Sequence, residues 1–598
     1  MILQFAVLGL GVGAVYALTA FGIVLVYRGS GVVNFASGAL ATVGVYAFYE
    51  LRDVQHRPWP LAMLIGVLVS GCLGALTHLL VMKPMRRTSP LTRTIATLGV
   101  LIVANAALVI WAPPGQLVVR TFYPSGELRL GSRVALGYDR LIITGIAVAL
   151  ALLLSAVWRW TRFGLATSAV AENRRSAASL GISPDTVATV NWFVGCALAG
   201  LAGIVLAPIL GLQITTITGL LFPALAAALL GDMSSFLVAL VGGLFLGIVQ
   251  SIMSSYFPST PGWTITIPFV LVLLVMMLKG RGIPDRGDSR DRLPAIGSGR
   301  VRLTPLILAV VVLLIFSWSF GSAYSNATTI TMSVAIVVLS VVVVTGYAGQ
   351  LSLCQYAIAG IGAFVVGRTT VLYGLPLEIA ILLGVAVGFL VGVLVGMPAL
   401  RNRGVNLAIL TLGFAVVLQQ DVFANGSLTS PVGDNVGPAR LFGIDINSLT
   451  FPARYATFAG IVFILVALWV AKLRRGVIGR RLIAARDSER AAAALGINVY
   501  QAKLFGFAVS AAIAALGGVV IALRLPVFTY NSSYDYTSSI NVLIYAVVGG
   551  VGYLAGPVLS SAAIVPGGVI YQLIAFLRNG NDELLVLIGG IGVIVVLQ

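Results

Sequence analysis

Arg162–Ile182, RFGLATSAVAENRRSAASLGI, is a polar and basic island in a chain of 598 residues that is 59% hydrophobic and only 9% charged. It recurs. Val477–Ile497 reads VIGRRLIAARDSERAAAALGI. Placing Leu180-Gly181-Ile182 on Leu495-Gly496-Ile497 also sets Gly164 on Gly479, Glu172 on Asp487 and Arg175 on Arg490, each pair 315 residues apart. A water-facing segment kept twice at one spacing reads as a docking element rather than a plain connection.

The surrounding composition fixes the class. Soluble domains carry about 25% charged residues, and here apolar runs long enough to cross a bilayer of about 30 Å follow one another. The expected fold is all-α: a polytopic membrane protein in the cytoplasmic membrane. The net charge of +18 does not mark a nucleic-acid partner. Its basic residues cluster in short loops (Arg86-Arg87-Arg93, Arg162–Arg175, Lys279–Arg302, Arg401-Arg403, Lys472–Arg490), the pattern of cytoplasmic loops. Cys72, Cys196 and Cys354 lie in apolar runs without metal-ligand spacing and read as small buried residues. His56 and His78 stand apart, so neither a metal nor a cofactor is expected. Leu3–Val26 has no basic leader or small-residue cleavage motif and reads as a retained helix.

In the first half the spans fall near 5–27, 31–51, 60–82, 93–112, 139–160, 185–208 and 262–279. A compound apolar region at 217–253 is interrupted by Gly231-Asp232-Met233-Ser234-Ser235. Loop 113–138 alternates from Gly126 to Leu136, which suggests a small hairpin. With the basic loops in the cytosol, the N-terminus lies outside and region 209–261 must leave and return on one side. It should form two short helices or a re-entrant hairpin, backbone tolerated only where buried in protein or lining a cavity.

Residues 280–302 form a Gly, Pro, Ser, Asp and Arg linker, which divides a first half, 1–279, from a second, 303–598. The second half has spans near 303–320, 326–346, 350–373, 376–400, 405–424, 454–474 and 500–523, a compound region at 536–576 and a last span from 583. Gly31–Gly44 matches Gly349–Gly362, and the interruption at Gly231 matches Gly549-Gly550-Val551-Gly552-Tyr553. Constant offsets over such distances argue duplication. The added helix 303–320 restores an outside entry for the next span, so the repeat is parallel, with about eight and nine spans.

The paired loops should form short helices, since Ala171–Ala178 and Arg486–Ala494 favour helix and Gly181 and Gly496 supply stops. Gly9, Gly11 and Gly13 lie inside a span with no strand before them and read as packing glycines. The four lysines (Lys83, Lys279, Lys472, Lys503) follow no GxxxxGK[ST] turn, so the chain does not bind ATP by a phosphate loop and is not itself an enzyme. Polar residues inside spans are costly unless they face the bundle interior or water. Asn34, Ser37, Ser352 and Gln355 occupy matching places in the two halves. They either line a translocation path or form hydrogen bonds between helices. Asn105, Asn191, Asn406, Gln419, Gln420 and Asn541 are further polar residues in spans; Glu378 and Asp421 fall near span ends.

The AEN…LGI loop, the NFASG stretch (Asn34–Gly38) and the GQLSL stretch (Gly349–Leu353) resemble permease subunits of branched-chain amino acid ABC importers. The resemblance covers essentially the whole chain, one permease subunit per half, fused where the family usually has separate polypeptides. It implies two cytoplasmic ATP-binding subunits docked on the paired loops through Gly164, Glu172, Asn173, Arg175, Leu180 and Gly181, and through Gly479, Asp487, Arg490, Leu495 and Gly496. It also implies an extracytoplasmic solute-binding protein, a small-molecule substrate and alternating access. The low charge of the spans equally suits urea, short amides or a sugar. An ion-coupled secondary transporter and a passive channel are the rival readings from the residues alone.

Overall fold

The computed structural model describes residues 2–88, 90–113, 115–124, 126–130, 134–257, 262, 266–267, 269–270, 296–300, 303–399, 405–430, 432–437 and 439–577. Most of the expected span 262–279, all but 296–300 of the linker 280–302, and the last span from 583 lie outside the described residues. The chain splits into two compact units, with the sequence boundary between Arg292 and Leu293.

The first unit runs α1 (Ile2–Ser30), α2 (Ser37–Tyr49), α3 (Trp59–Thr77), α4 (Pro90–Trp111), α5 (Tyr138–Trp160), α6 (Arg162–Glu172), α7 (Arg174–Ser179), α8 (Pro184–Leu210), α9 (Ile214–Gly219), α10 (Leu221–Leu230) and α11 (Phe236–Tyr256). The second adds α12 (Leu303–Ser319) and then repeats the order. It runs α13 (Gly321–Val341), α14 (Gln355–Tyr373), α15 (Leu377–Ala399), α16 (Val405–Val417), α17 (Pro452–Arg475), α18 (Val477–Asp487), α19 (Glu489–Ala494) and α20 (Val499–Ala522). After these come α21 (Tyr530–Ser533), α22 (Tyr536–Val548), α23 (Gly556–Ile564) and α24 (Val569–Leu577). Among the described residues, 13 helical segments are long and apolar enough to cross a membrane.

The eight-plus-nine count is not confirmed among the described residues, and the helices depart from the expected spans in two kinds of place. Spans 31–51 and 350–373 do not begin as helices: residues 31–36 and 349–354 are irregular, and α2 and α14 start only at Ser37 and Gln355. The compound regions differ between the units. In the first, one limb is broken into α9 and α10, but the return limb is the unbroken 21-residue α11. In the second, the return limb is itself broken between α23 and α24, at Pro566-Gly567-Gly568, where Gly567 takes φ +81°. The expected hairpin in loop 113–138 is present: Glu127–Leu130 pairs antiparallel with Val134–Gly137. The Gln4 side-chain amide closes on the backbone of Ala135, donating and accepting at 2.9 Å.

Glycines set the helix contacts, as close backbone approach must where lipid removes the hydrophobic drive between helices. A Cβ on Gly13 would stand 2.7 Å from the carbonyl oxygen of Gly243, and Gly9 and Gly247 close the same seam of α1 against α11. Gly11 faces Arg140 of α5 instead. Cys196 and Cys354 are buried as expected; Cys72 is not, because α3 turns it outward.

Candidate functional site: the paired docking helices

The polar island is two helices rather than one. Alanine propensity alone would carry a helix through 171–178 and 486–494, yet both copies break at the equivalent residue, Asn173 and Ser488. Each takes extended backbone and caps the next helix. Asn173 Oδ1 accepts from the N–H groups of Arg175 and Ser176 at 3.0 and 3.1 Å, and Ser488 Oγ accepts from Ala491 N–H at 3.3 Å. Asparagine and serine are interchangeable here because both offer a short side-chain oxygen to an unpaired helix-start N–H. This unites positions whose sequences look dissimilar. Replacing either by alanine is expected to weaken its short helix by about 1 kcal/mol, read as roughly fivefold faster amide exchange at Ala177 or Ala492. Unchanged protection would contradict the capping role.

The ends match as well. Ile182 N–H returns to Ala177 O at 3.1 Å and Ile497 N–H to Ala492 O at 3.0 Å, around Gly181 at φ +83° and Gly496 at φ +76°. This left-handed stop needs glycine. Gly164 and Gly479 are buried, each pressed on the backbone of the preceding span's last turn, against Trp158 and against Leu473 and Arg474. Ala177 and Ala492 point inward at 2% and 1% exposure, while Leu180 and Leu495 stand out at 78% each. Glu172, Arg175, Asp487 and Arg490 are not sealed in the interior either. Each copy therefore presents the same short ridge: an apolar tip flanked by charges, held on a small alanine seat.

What ties the ridge to the next span is opposite in sign in the two copies. Arg174 opens α7 and meets Asp185 in the first turn of α8 at 2.7 Å, with Arg86 3.7 Å from the other carboxylate oxygen. Glu489, the equivalent of Arg174, opens α19 and meets Lys503 of α20. The sequence reading does not single out Asp185 and Lys503. A sign reversal between repeat copies was the available signal. Beside α6, Arg28, Trp158, Ser168, Ala171 and Glu172 line a cavity of about 310 Å³, with the Arg28 guanidinium 4.6 Å from the centre of the Trp158 ring.

The four path candidates sit at the irregular starts of α2 and α14, and each is at most 2% exposed. Asn34 Oδ1 accepts from Ala36 N–H at 3.0 Å, and Ser37 Oγ donates to Asn34 O at 3.0 Å. Gln355 Nε2 donates to Ser352 Oγ at 3.1 Å, and Ser340 donates to Gln355 Oε1 at 3.2 Å. Their polar groups bond to the broken backbone and to neighbouring side chains. Two threonines missed in the sequence complete the breaks. Phe35 N–H donates to Thr97 at 3.1 Å and Leu353 N–H to Thr411 at 3.0 Å. The repeated Thr-Leu-Gly at 97–99 and 411–413 was their signal.

A duplicated, broken-helix bundle with a capped, exposed ridge on each copy defines a polytopic membrane protein built from two copies of one unit. The chain belongs to the family described as branched-chain amino acid transport system, permease component, whose model matches residues 5–276 and again 323–597. It is a multi-pass protein of the cytoplasmic membrane. It is similar to the high-affinity branched-chain amino acid transport system permease protein LivM of Escherichia coli K12, 29% identical over 53% of this chain and 78% of the relative. It is also similar to LivH of Salmonella typhimurium, of the same description, at 26% over 47% of this chain and 94% of the relative. BraD of Pseudomonas aeruginosa matches at 28% over 48% of this chain and 96% of the relative.

Proposed function

We propose that this chain is the membrane permease of an ATP-binding-cassette importer for branched-chain amino acids, with both permease subunits in one polypeptide: 1–279, a cytoplasmic linker 280–302, and 303–598. The observation that carries this reading is the paired ridge, α6–α7 and α18–α19, with its caps, stops and exposed leucine repeated. Two ATP-binding subunits dock there, one per ridge, and an extracytoplasmic binding protein delivers solute. ATP binding draws the subunits together, and each ridge passes the movement to its bundle, so that access alternates. The residues at the two membrane-depth breaks shape the walls of the route rather than hold solute.

The test is uptake into vesicles carrying the chain with its ATP-binding subunits and binding protein. ATP-dependent uptake of leucine, isoleucine and valine is expected. Uptake of urea or a sugar with none of the three would overturn the substrate assignment. The ridges differ at equivalent exposed positions, Glu172-Asn173 against Asp487-Ser488, which supports two different ATP-binding subunits, one per half. Exchanging Arg162–Ile182 with Val477–Ile497 is then expected to impair coupled uptake, and unimpaired uptake would mean one subunit type serves both ridges.

A further inference from the structure

The two units carry an amide at the same place, and only one of the two is fully used. Thr97 and Thr411 make the same bond to the same break, which registers α4 on α16. Eight residues beyond each stands an amide, Asn105 in the first unit and Gln419 in the second. Both reach the segment ahead of the compound-region turn. Gln419 is saturated: Oε1 accepts from Tyr536 N–H at 3.0 Å, and Nε2 donates to Asn531, to its backbone and side-chain oxygens at 3.3 Å each. Among the described residues Asn105 has a single bond, its Oδ1 accepting from Thr218 Oγ1 at 3.4 Å, and Thr218 Oγ1 lies 3.1 Å from Thr42 Oγ1. The Asn105 Nδ2 donors have no protein partner among the described residues.

Asn105 lies within the span Thr92–Trp111, about 9 Å short of Trp111 at 1.5 Å per residue. An amide that leaves two donors unspent at that depth is tolerated where it meets water or a polar ligand. The short helix α9 beside it is preceded by irregular backbone at residues 211–213, which at membrane depth belongs to protein-buried or cavity-lining positions. Asn105 is half-buried and not sealed.

We propose that Asn105 is a solute-binding residue whose Nδ2 donates to the carboxylate of the amino-acid solute on its way through the first unit, with Thr218 holding the amide in orientation. The saturated Gln419 makes no such contact, so the two units treat the solute unequally. This rests on the amino-acid reading above.

The test uses the whole complex in vesicles with labelled leucine. Asn105→Asp sets a carboxylate against a carboxylate. It is expected to lower maximal uptake about tenfold near pH 7.5 with KM, set by the binding protein, changed less than about twofold. Uptake should recover severalfold towards about pH 5.5, where the introduced carboxyl, set against the carboxylate of the solute, takes up a proton and donates again. Wild type should show no such recovery. Wild-type rate in the assembled variant, or loss without acid recovery, overturns the proposal. Should the variant fail to assemble, Asn105→Cys with Cys72→Ser provides a second readout, since Cys196 and Cys354 are buried. A water-soluble thiol reagent should label it, and leucine-loaded binding protein should slow labelling about threefold. Absence of labelling or of protection refutes the carboxylate contact. A wild-type complex that carries no amino acid refutes the substrate reading instead.

Discussion

Glutamate at both Leu180 and Leu495 is expected to abolish coupled transport while the chain still folds in the membrane. Both leucines are 78% exposed at the tips of α7 and α19, so neither contributes to the core of its unit. Burying one leucine in a partner's groove contributes about 1.5–3 kcal/mol, which corresponds to roughly ten- to a hundredfold in affinity. A carboxylate in that groove adds its own desolvation cost. The double variant should therefore lose at least a hundredfold in affinity for the ATP-binding subunits (order of magnitude), seen as their disappearance from the purified complex. Each single variant should release one subunit preferentially if the two differ. Retained subunits and retained uptake in the double variant would show that the ridges are ordinary loops.

Valine at Gly247 is expected to have the largest effect on folding. Gly247 lies against the backbone of Gly9 and Gly13, and the same seam holds Gly243. No rotamer change relieves a clash with backbone, so α1 and α11 must separate. Overpacking costs typically about 1–3 kcal/mol and more where nothing can move, and α1 is also the helix that α8 packs along through Gly22 and Gly195. The yield of folded protein in mild detergent should collapse. Gly145→Ala should leave yield unchanged, because the added methyl would meet no other atom within 4 Å. Equal yields from the two would mean that the glycine seam does not hold the first unit together.

The duplication is legible because its markers are residues with few substitutes: a glycine at each left-handed stop, a glycine under each backbone contact, and a leucine between them. The helix break inside each ridge is not legible from propensity, because alanine-rich sequence favours continuing while one side-chain oxygen at Asn173 or Ser488 decides otherwise. The irregular starts of α2 and α14 escape for a different reason. Residues 31–36 and 349–354 are nearly as apolar as the helices they lead into, and hydropathy does not separate a buried extended segment from a buried helix. What distinguishes them is a polar partner far along the chain, Thr97 for one and Thr411 for the other. The unbroken α11 against the broken α23 and α24 follows Pro566-Gly567-Gly568, which the first unit lacks. Asn34, Ser37, Ser352 and Gln355 stand out in the sequence as polar residues in apolar surroundings. Their hydrogen-bond partners are not legible in the sequence, because a buried polar group bonded to its own backbone and one facing a solute look alike there.

The most direct measurement is the composition and activity of the complex purified through this chain. Two ATP-hydrolysing subunits per chain, with vesicle uptake that vanishes when they are stripped away, is the predicted result. Solute flux through the chain alone, with no ATP-binding subunit attached and no dependence on ATP, would contradict it.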